Sequence, residues 1–184
     1  SWQSCAGPGG PAASYRDDLL KKNNTAVPET WQEVLDLAKK GRVAVPAIPI
    51  DLLMNFYTFC IAEGKEPFKN NKEVIDKETG IAAIETMKEL WALVDRKMFS
   101  CNPINVAELM TSTDDYWYCP FAYCYTNYSR NGYATHKVNY TDVVAFNGKK
   151  MRTTIGGTGL AVSAFSKHKE EAVRFAEMVV SGSC

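Results

Sequence analysis

The sequence predicts an α/β fold, a mixed sheet flanked by helices and carrying a β-hairpin, and three observations support it. A short apolar run with Val43-Ala44-Val45 at its heart is followed at once by a helical pattern, as when a buried strand feeds a helix. Thr30-Trp31-Gln32-Glu33 is a capping box, in which the threonine hydroxyl and the glutamate carboxylate satisfy opposite orphan amides at a helix start. Asn147-Gly148, the dipeptide that a two-residue hairpin turn asks for, stands between Asp142 to Phe146 and Lys149 to Thr154.

At 184 residues the chain can bury a core without a metal or a staple, and its length suggests one domain. Its 21 basic residues balance 21 acidic ones with no basic block, so the electrostatic footprint of a nucleic-acid or anionic-lipid binder is missing. No apolar run is long enough to span a bilayer. Neutral small molecules or proteins are the partners expected. Six cysteines, Cys5, Cys60, Cys101, Cys119, Cys124 and Cys184, show no spacing suited to zinc, so no metal is expected and reduced thiols are the default. Ser4 to Ser14 is small and rich in Gly and Pro, like a linker or a severed strand end, and folded sequence is expected from Tyr15 to Cys184.

Trp31, Val34, Leu35 and Ala38 share one helical face, and Gly41 can take the left-handed cap. Beyond the Val43 run, broken by Pro46 and Pro49, Asp51 can cap a helix whose inner side is Leu52, Phe56, Phe59 and Cys60 and which Gly64 stops. A longer helix is expected from about Thr79 to Lys97, with Ile81, Ile84, Met87, Trp91 and Val94 at helical spacing and Trp91 in the core. Asn105 to Glu108 repeats the capping logic for a short helix. A last helix, about Lys167 to Val180, should bury Ala172, Phe175, Ala176 and Val179.

Asp114 to Tyr133 holds a large share of the aromatics. Tyr and Trp combine a flat apolar face with a hydrogen-bonding tip, and pyranose rings offer flat C–H faces rimmed by hydroxyls, so a sugar suits such a surface. Read as extended, Tyr116 to Tyr125 puts Trp117, Cys119, Phe121, Tyr123 and Tyr125 on one face and Tyr116, Tyr118 and Pro120 on the other, with Asn127 just downstream. Pro120 lacks an amide donor, which marks an edge, a bulge or a lining loop. The same aromatics serve equally well as amphipathic core and hairpin filler, and composition alone does not separate the two. Open α/β sheets place ligands beyond the carboxyl ends of their strands, which makes Asp51 and Asn55 candidates for sugar hydroxyls beside a plain capping role for Asp51. Gly156 and Gly157, followed by Thr158, do not have the dinucleotide spacing, but they would let the backbone approach a ligand closely or simply make a tight turn.

Two separated motifs then resemble one family. Tyr15-Arg16-x-Asp18-Leu19-Leu20 with Val27-Pro28-x-Thr30-Trp31-x-Glu33 resembles the opening of the second lobe in sugar-binding proteins of bacterial ABC transporters. Ile155-Gly156-Gly157-Thr158-Gly159-Leu160-Ala161-Val162-Ser163 with Ser166-Lys167-x-Lys169-x-x-Ala172 is similar to the segment that ends that lobe. The resemblance covers Tyr15 to about Gly182 and implies one lobe of the type II periplasmic-binding-protein kind, half of a two-lobed protein. It implies a sugar or related polyol held between this lobe and a first lobe, ABC permease subunits as partners, an extracellular or periplasmic location with a lipoprotein anchor, no cofactor and no catalysis. It also implies that the segment from Tyr116 to Tyr125 and the loop from Gly156 to Thr158 face the cleft. The linker-like residues before Tyr15 depart from the family. Two rivals are a protein-interaction module docking through the aromatic patch and a glycoside-acting enzyme, whose only acidic pair near the aromatics, Asp114 and Asp115, would point to opposite faces of a strand.

Overall fold

Three small residues expected to close a linker, Ala12, Ala13 and Ser14, instead begin the central strand of the sheet, β1 (Ala12–Tyr15). The computed structural model describes residues 12–154 and 160–181. β1 runs antiparallel to β2 (Tyr118–Ala122) on one side and to β3 (Asn139–Thr141) on the other. All three small residues are buried, so no polar-apolar alternation betrays the strand, and Ala and Ser carry little β propensity of their own. The folded boundary therefore lies upstream of Tyr15.

Opposite Ser14 and Ala12, β2 uses one residue more, from Cys119 to Ala122, so a bulge falls around Pro120. A proline that cannot donate to a ladder is tolerated at such an irregularity. On its far side β2 meets the predicted Val43 run, which is extended and buried but pairs only briefly. Val43 bridges Tyr118 in parallel, the Ala44 amide donates to the Tyr118 carbonyl at 3.0 Å, and the Trp117 amide donates to the Arg42 carbonyl at 2.8 Å.

Helices surround this sheet. After α1 (Asp17–Lys22) comes α2 (Trp31–Lys39), with the reciprocal Thr30–Glu33 capping box formed as predicted. α3 (Pro49–Ala62) starts two residues before Asp51, with Pro49 at its first position, where a missing amide costs nothing. Asp51 thus lies inside the first turn and is not the N-cap, which is Ile48. α4 (Lys77–Trp91) is capped by Asp76 and stops short of the expected Lys97, the chain passing into a 3-10 turn at Arg96–Ser100. Ile81 and Ile84 are exposed, 50% and 47%, while Ala83, Thr86, Leu90 and Trp91 are buried. Small residues turn inward here: a Cβ on Gly80 would stand 3.8 Å from the Phe56 ring of α3, a close helix approach that pushes the larger isoleucines out. α5 (Pro103–Ser112) begins one turn earlier than Asn105, because Asn102 and Asn105 form the capping box between them. β4 (Ala145–Phe146) and β5 (Lys149–Lys150) flank Asn147 and Gly148, whose φ values of +49° and +71° suit the two-residue turn.

Phe121 of β2 is the centre of an aromatic hub. Its ring stacks on Trp91 at 6.4 Å and meets Phe59 edge-on at 5.8 Å, and Phe59 in turn meets Trp31 at 5.0 Å and Phe146 at 6.0 Å. α2, α3, α4, β2 and β4 thus share one set of ring contacts, each worth about 0.5–1.5 kcal/mol beyond burial.

Two expectations about the chain's surface and chemistry are corrected. α6 (Lys169–Ser181) leaves Phe175 and Val179 of its predicted buried face 58% and 42% exposed, whereas Ala172 and Ala176 are half-buried. Cys124 is disulfide-bonded, whereas Cys60, Cys101 and Cys119 are free thiols.

At the start of β2, Arg16 is fully buried. Its guanidinium donates to the Met110 carbonyl at 2.7 Å and the Thr113 carbonyl at 2.9 Å, grips Asp18 with two bonds at 2.8 and 2.7 Å, and reaches Asp114 at 2.9 Å. One planar fork thereby joins β1 and α1 to the end of α5. Arg16→Met is expected to cost about 3 kcal/mol in urea denaturation, since it strands two carbonyls and two carboxylates. Arg16→Lys should recover only part of that loss, because a point charge cannot fill the fork.

Candidate functional site

The Val43 run and β2 are parallel, so the segments that leave their carboxyl ends emerge on the same side of the sheet. One is the first turn of α3, carrying Asp51 and, one turn on, Asn55; the other is Tyr123, which follows Ala122. Asp51 and Asn55 share a helix face and are each only 6% exposed. Among the described residues, Asp51 Oδ2 has no hydrogen-bond partner. Burial pushes its carboxyl above the usual range. Tyr123 is half-buried; burial raises its phenol, the Asp51 carboxylate raises it further, and the Thr154 side chain lies against its hydroxyl. Cys119, in the floor of β2, is pushed up to about 12 by burial, with Asp51 again adding to the shift.

The structure therefore gathers Asp51, Asn55 and Tyr123, and adds Thr154, which the sequence offered only as a hairpin residue. Tyr116 and Trp117 belong to the other end of β2. Tyr116 is buried under the Lys97 ammonium, 4.9 Å from its ring centroid. The Trp117 indole donates to the Asp114 carbonyl at 3.0 Å and lies 4.9 Å beneath the Arg42 guanidinium. Alternation ignores distance, and the six steps from Trp117 to Tyr123 span roughly 20 Å. The bulge at Pro120 breaks the alternation as well. Tyr125 and Asn127 lie in the turn beyond Tyr123: the Tyr125 carbonyl accepts from the Tyr140 hydroxyl at 2.9 Å, and Asn127 Oδ1 accepts from Arg130 at 3.4 Å. Gly156, Gly157 and Thr158 lie outside the described residues.

This end of the sheet offers a carboxyl, an amide, a phenol and a hydroxyl, a set suited to a ligand rich in hydroxyl groups. Among the described residues no cluster of His, Cys, Asp and Glu could hold a metal ion. Asp114, one of the two adjacent acids, pairs with Arg16 at the far end and is no partner for Asp51. The thiols of Cys60, Cys101 and Cys119 are all raised by burial, which keeps them protonated and poor nucleophiles. A separate cavity of about 350 Å³, lined among others by Asp17, Asp18, Asn131, His136 and Asn139, sits where Tyr15 pairs with Asn139. Its two acids are already engaged, Asp18 by Arg16 and Asp17 by Lys21.

Comparison with known proteins follows the same lines. A family model described as bacterial extracellular solute-binding protein matches residues 5–183. Among solved structures, the maltose-bound MalE3 of T. maritima is similar with a TM-score of 0.75 at 19% identity, over 94% of this chain and 50% of that one. An ABC transporter solute-binding protein of Agrobacterium radiobacter K84, in complex with ribitol, gives a TM-score of 0.73 at 18% identity, over 98% and 50%. Another, from Agrobacterium vitis S4 with bound D-mannitol, gives 0.66 at 14% identity, over 93% and 46%. The chain spans about half the length of these proteins.

Asp51 also makes stability depend on pH. A carboxyl whose folded-state pKa is raised contributes stability that is fully present below the ordinary carboxylate range and is lost as pH rises through the raised value. Asp51→Asn removes this titration. In thermal melts the variant is expected to exceed the parent in Tm at pH 8 and to lose that advantage at pH 4; a constant difference at both pH values would mean that folding does not raise the Asp51 pKa.

Proposed function

Because this chain belongs to the bacterial extracellular solute-binding protein family, we propose that it is one lobe of a two-lobed ABC-transporter receptor that captures a sugar or polyol and hands it to permease subunits. The observation that carries this is the buried, unpartnered Asp51 carboxyl, with Asn55 beside it and Tyr123 across from it, at the carboxyl end of two parallel segments. Such a group is costly to bury unless something with hydroxyl donors completes it. The similar structures hold maltose, ribitol and D-mannitol, all neutral and rich in hydroxyls. Asn55 supplies both a donor and an acceptor, and Tyr123 supplies a ring face with a polar tip.

The ligand is held between this wall and a first lobe, and closure of the two brings most of its surface out of water. The role is capture and delivery without catalysis. The exposed apolar face of α6 supports the pairing of lobes, because an amphipathic helix with Phe175 and Val179 in water is stabilised by a second body laid against it. Delivery at a membrane asks for an extracellular or periplasmic address, and a lipoprotein anchor would hold the receptor near its permease. Among the described residues no helix is long and apolar enough to cross a membrane. A docking patch built on the aromatic stretch loses two of its anchors, since Tyr116 is buried and Trp117 is engaged by Arg42 and Asp114.

Calorimetric titration of the two-lobed protein with maltose, ribitol and D-mannitol tests the assignment. With whichever binds, Asn55→Ala and Tyr123→Ala should each weaken affinity by about tenfold or more, the loss of one good polar or stacking contact. Trp117→Ala should leave affinity unchanged. The reverse pattern would move the site to the other end of β2. Lobe pairing has its own check: Phe175→Asp should lower the stability of the two-lobed protein by about 2 kcal/mol if that ring is covered there, and by almost nothing if it stays in water.

A further inference from the structure

Three features outside the aromatic hub could each act on a ligand or partner: the cavity beside Asp18 and His136, the open face of α6, and the Asp51 carboxyl. The cavity's acids are satisfied from within the chain, and α6 is accounted for by a first lobe. Asp51 is different, since its Oδ2 is buried and nothing among the described residues completes it.

We infer, building on the proposed capture of a sugar or polyol, that a ligand hydroxyl donates to Asp51 Oδ2 and that capture drives a proton off this carboxyl into solvent, so that binding tightens as pH rises through the acidic range. Asp51 is faced by groups from β2, from its own helix and from the segment after β5. From β2 and its continuation come the Cys119 thiol and the Tyr123 phenol, neither of which carries positive charge. From its own helix comes Asn55, which is neutral, and from the segment after β5 comes Thr154, which meets Tyr123. No Lys, Arg or His among the described residues forms an ion pair with Asp51, whereas Asp18, Asp76 and Asp114 all have a cation. The amino end of α3 does favour a carboxylate in its first turn.

An empty site of this kind holds its proton more tightly than a solvated carboxyl does, because the charged form is left without donors. A hydroxyl that enters and donates to Oδ2 makes a charge-assisted bond, and bonding to the charged form favours it. The step breaks the carboxyl O–H bond of Asp51, releases its proton to buffer and forms no covalent bond to the ligand. Asn55, one turn along the same face, can then take the neighbouring hydroxyl, so the class selected is a neutral compound with adjacent hydroxyl groups. A deoxy analogue at that position leaves a buried carboxylate bare and is rejected.

The test uses the two-lobed protein, with maltose, ribitol and D-mannitol as probes. Calorimetry at pH 7.5 identifies the probe that binds, and titrations from pH 4.5 to 8 follow, each in two buffers of low and high ionisation heat, with a thermal melt at every pH. The expected result is a Kd that is flat near neutrality and weakens toward tenfold per pH unit in the acid arm, with measurable proton release there. Asp51→Asn should bind more weakly at pH 8 and lose the slope, while Asn55→Ala should bind more weakly and keep it. A flat Kd without proton release, or a slope that survives in Asp51→Asn, overturns the coupling and leaves sugar capture standing. Failure of all three probes to bind at every pH, in protein that melts cooperatively, overturns the capture of such compounds and the coupling with it.

Discussion

The arrangement rests on a few backbone bonds along one side of β2. The Arg42 carbonyl takes the Trp117 amide, and the Tyr118 carbonyl takes the Ala44 amide. These bonds run two segments in the same direction, which an antiparallel hairpin could not do. Had Val43 met Tyr118 antiparallel, the first turn of α3 would emerge beside Trp117, and the acid would lie among cations. As built, α3 and Tyr123 leave the sheet together, and the site is a by-product of strand direction before it is a matter of side chains.

The two ends of β2 are treated oppositely by the chain. At its start, charge is abundant and fully answered, with Arg16 shared between Asp18 and Asp114, Arg42 over Trp117, and Lys97 over Tyr116. At its finish, polarity is scarce and left open, with Asp51 lacking a partner for one oxygen. Between them the Phe121 hub holds both ends at a fixed separation through ring contacts with α3 and α4. A polar group without a partner persists only where the surrounding packing supplies the stability that it withholds.

How much of this the sequence disclosed depended on the range of the signal. The Thr30 capping box, the Asn147-Gly148 turn and the buried Val43 run were legible because each is written within a few residues. Asp51 and Asn55 were picked out by where a strand gives way to a helix, and both are buried at the start of α3, although Asp51 proved to be inside the helix and not its cap. β1 was hidden because three small residues buried on both faces leave no pattern. Arg16 was hidden because its partners Met110, Thr113 and Asp114 are nearly a hundred positions away, and local pattern carries no information at that distance. Helical spacing found the start of α4 within a few residues and placed Trp91 and Val94 in the core correctly, but it turned Ile81 and Ile84 inward, since it ranks isoleucine above glycine and alanine, and close approach to α3 demands the reverse. The aromatic stretch was recognised as a unit and divided by the structure, its length having no place in an alternation argument.

The extra residue that β2 spends around Pro120 gives this segment an arithmetic that composition does not show. A substitution there acts through the contacts of one side chain, those of Phe121 above all, whereas a gain or loss of one position shifts the frame of everything that follows. A chain shortened by one residue between Cys119 and Ala122 would keep its hydrophobicity, its cysteine and its tyrosines, yet would turn Tyr123 from the side of Asp51 toward the opposite face. The number of residues across the bulge, as well as the identity of Phe121, therefore sets which face the chain presents as it leaves β2.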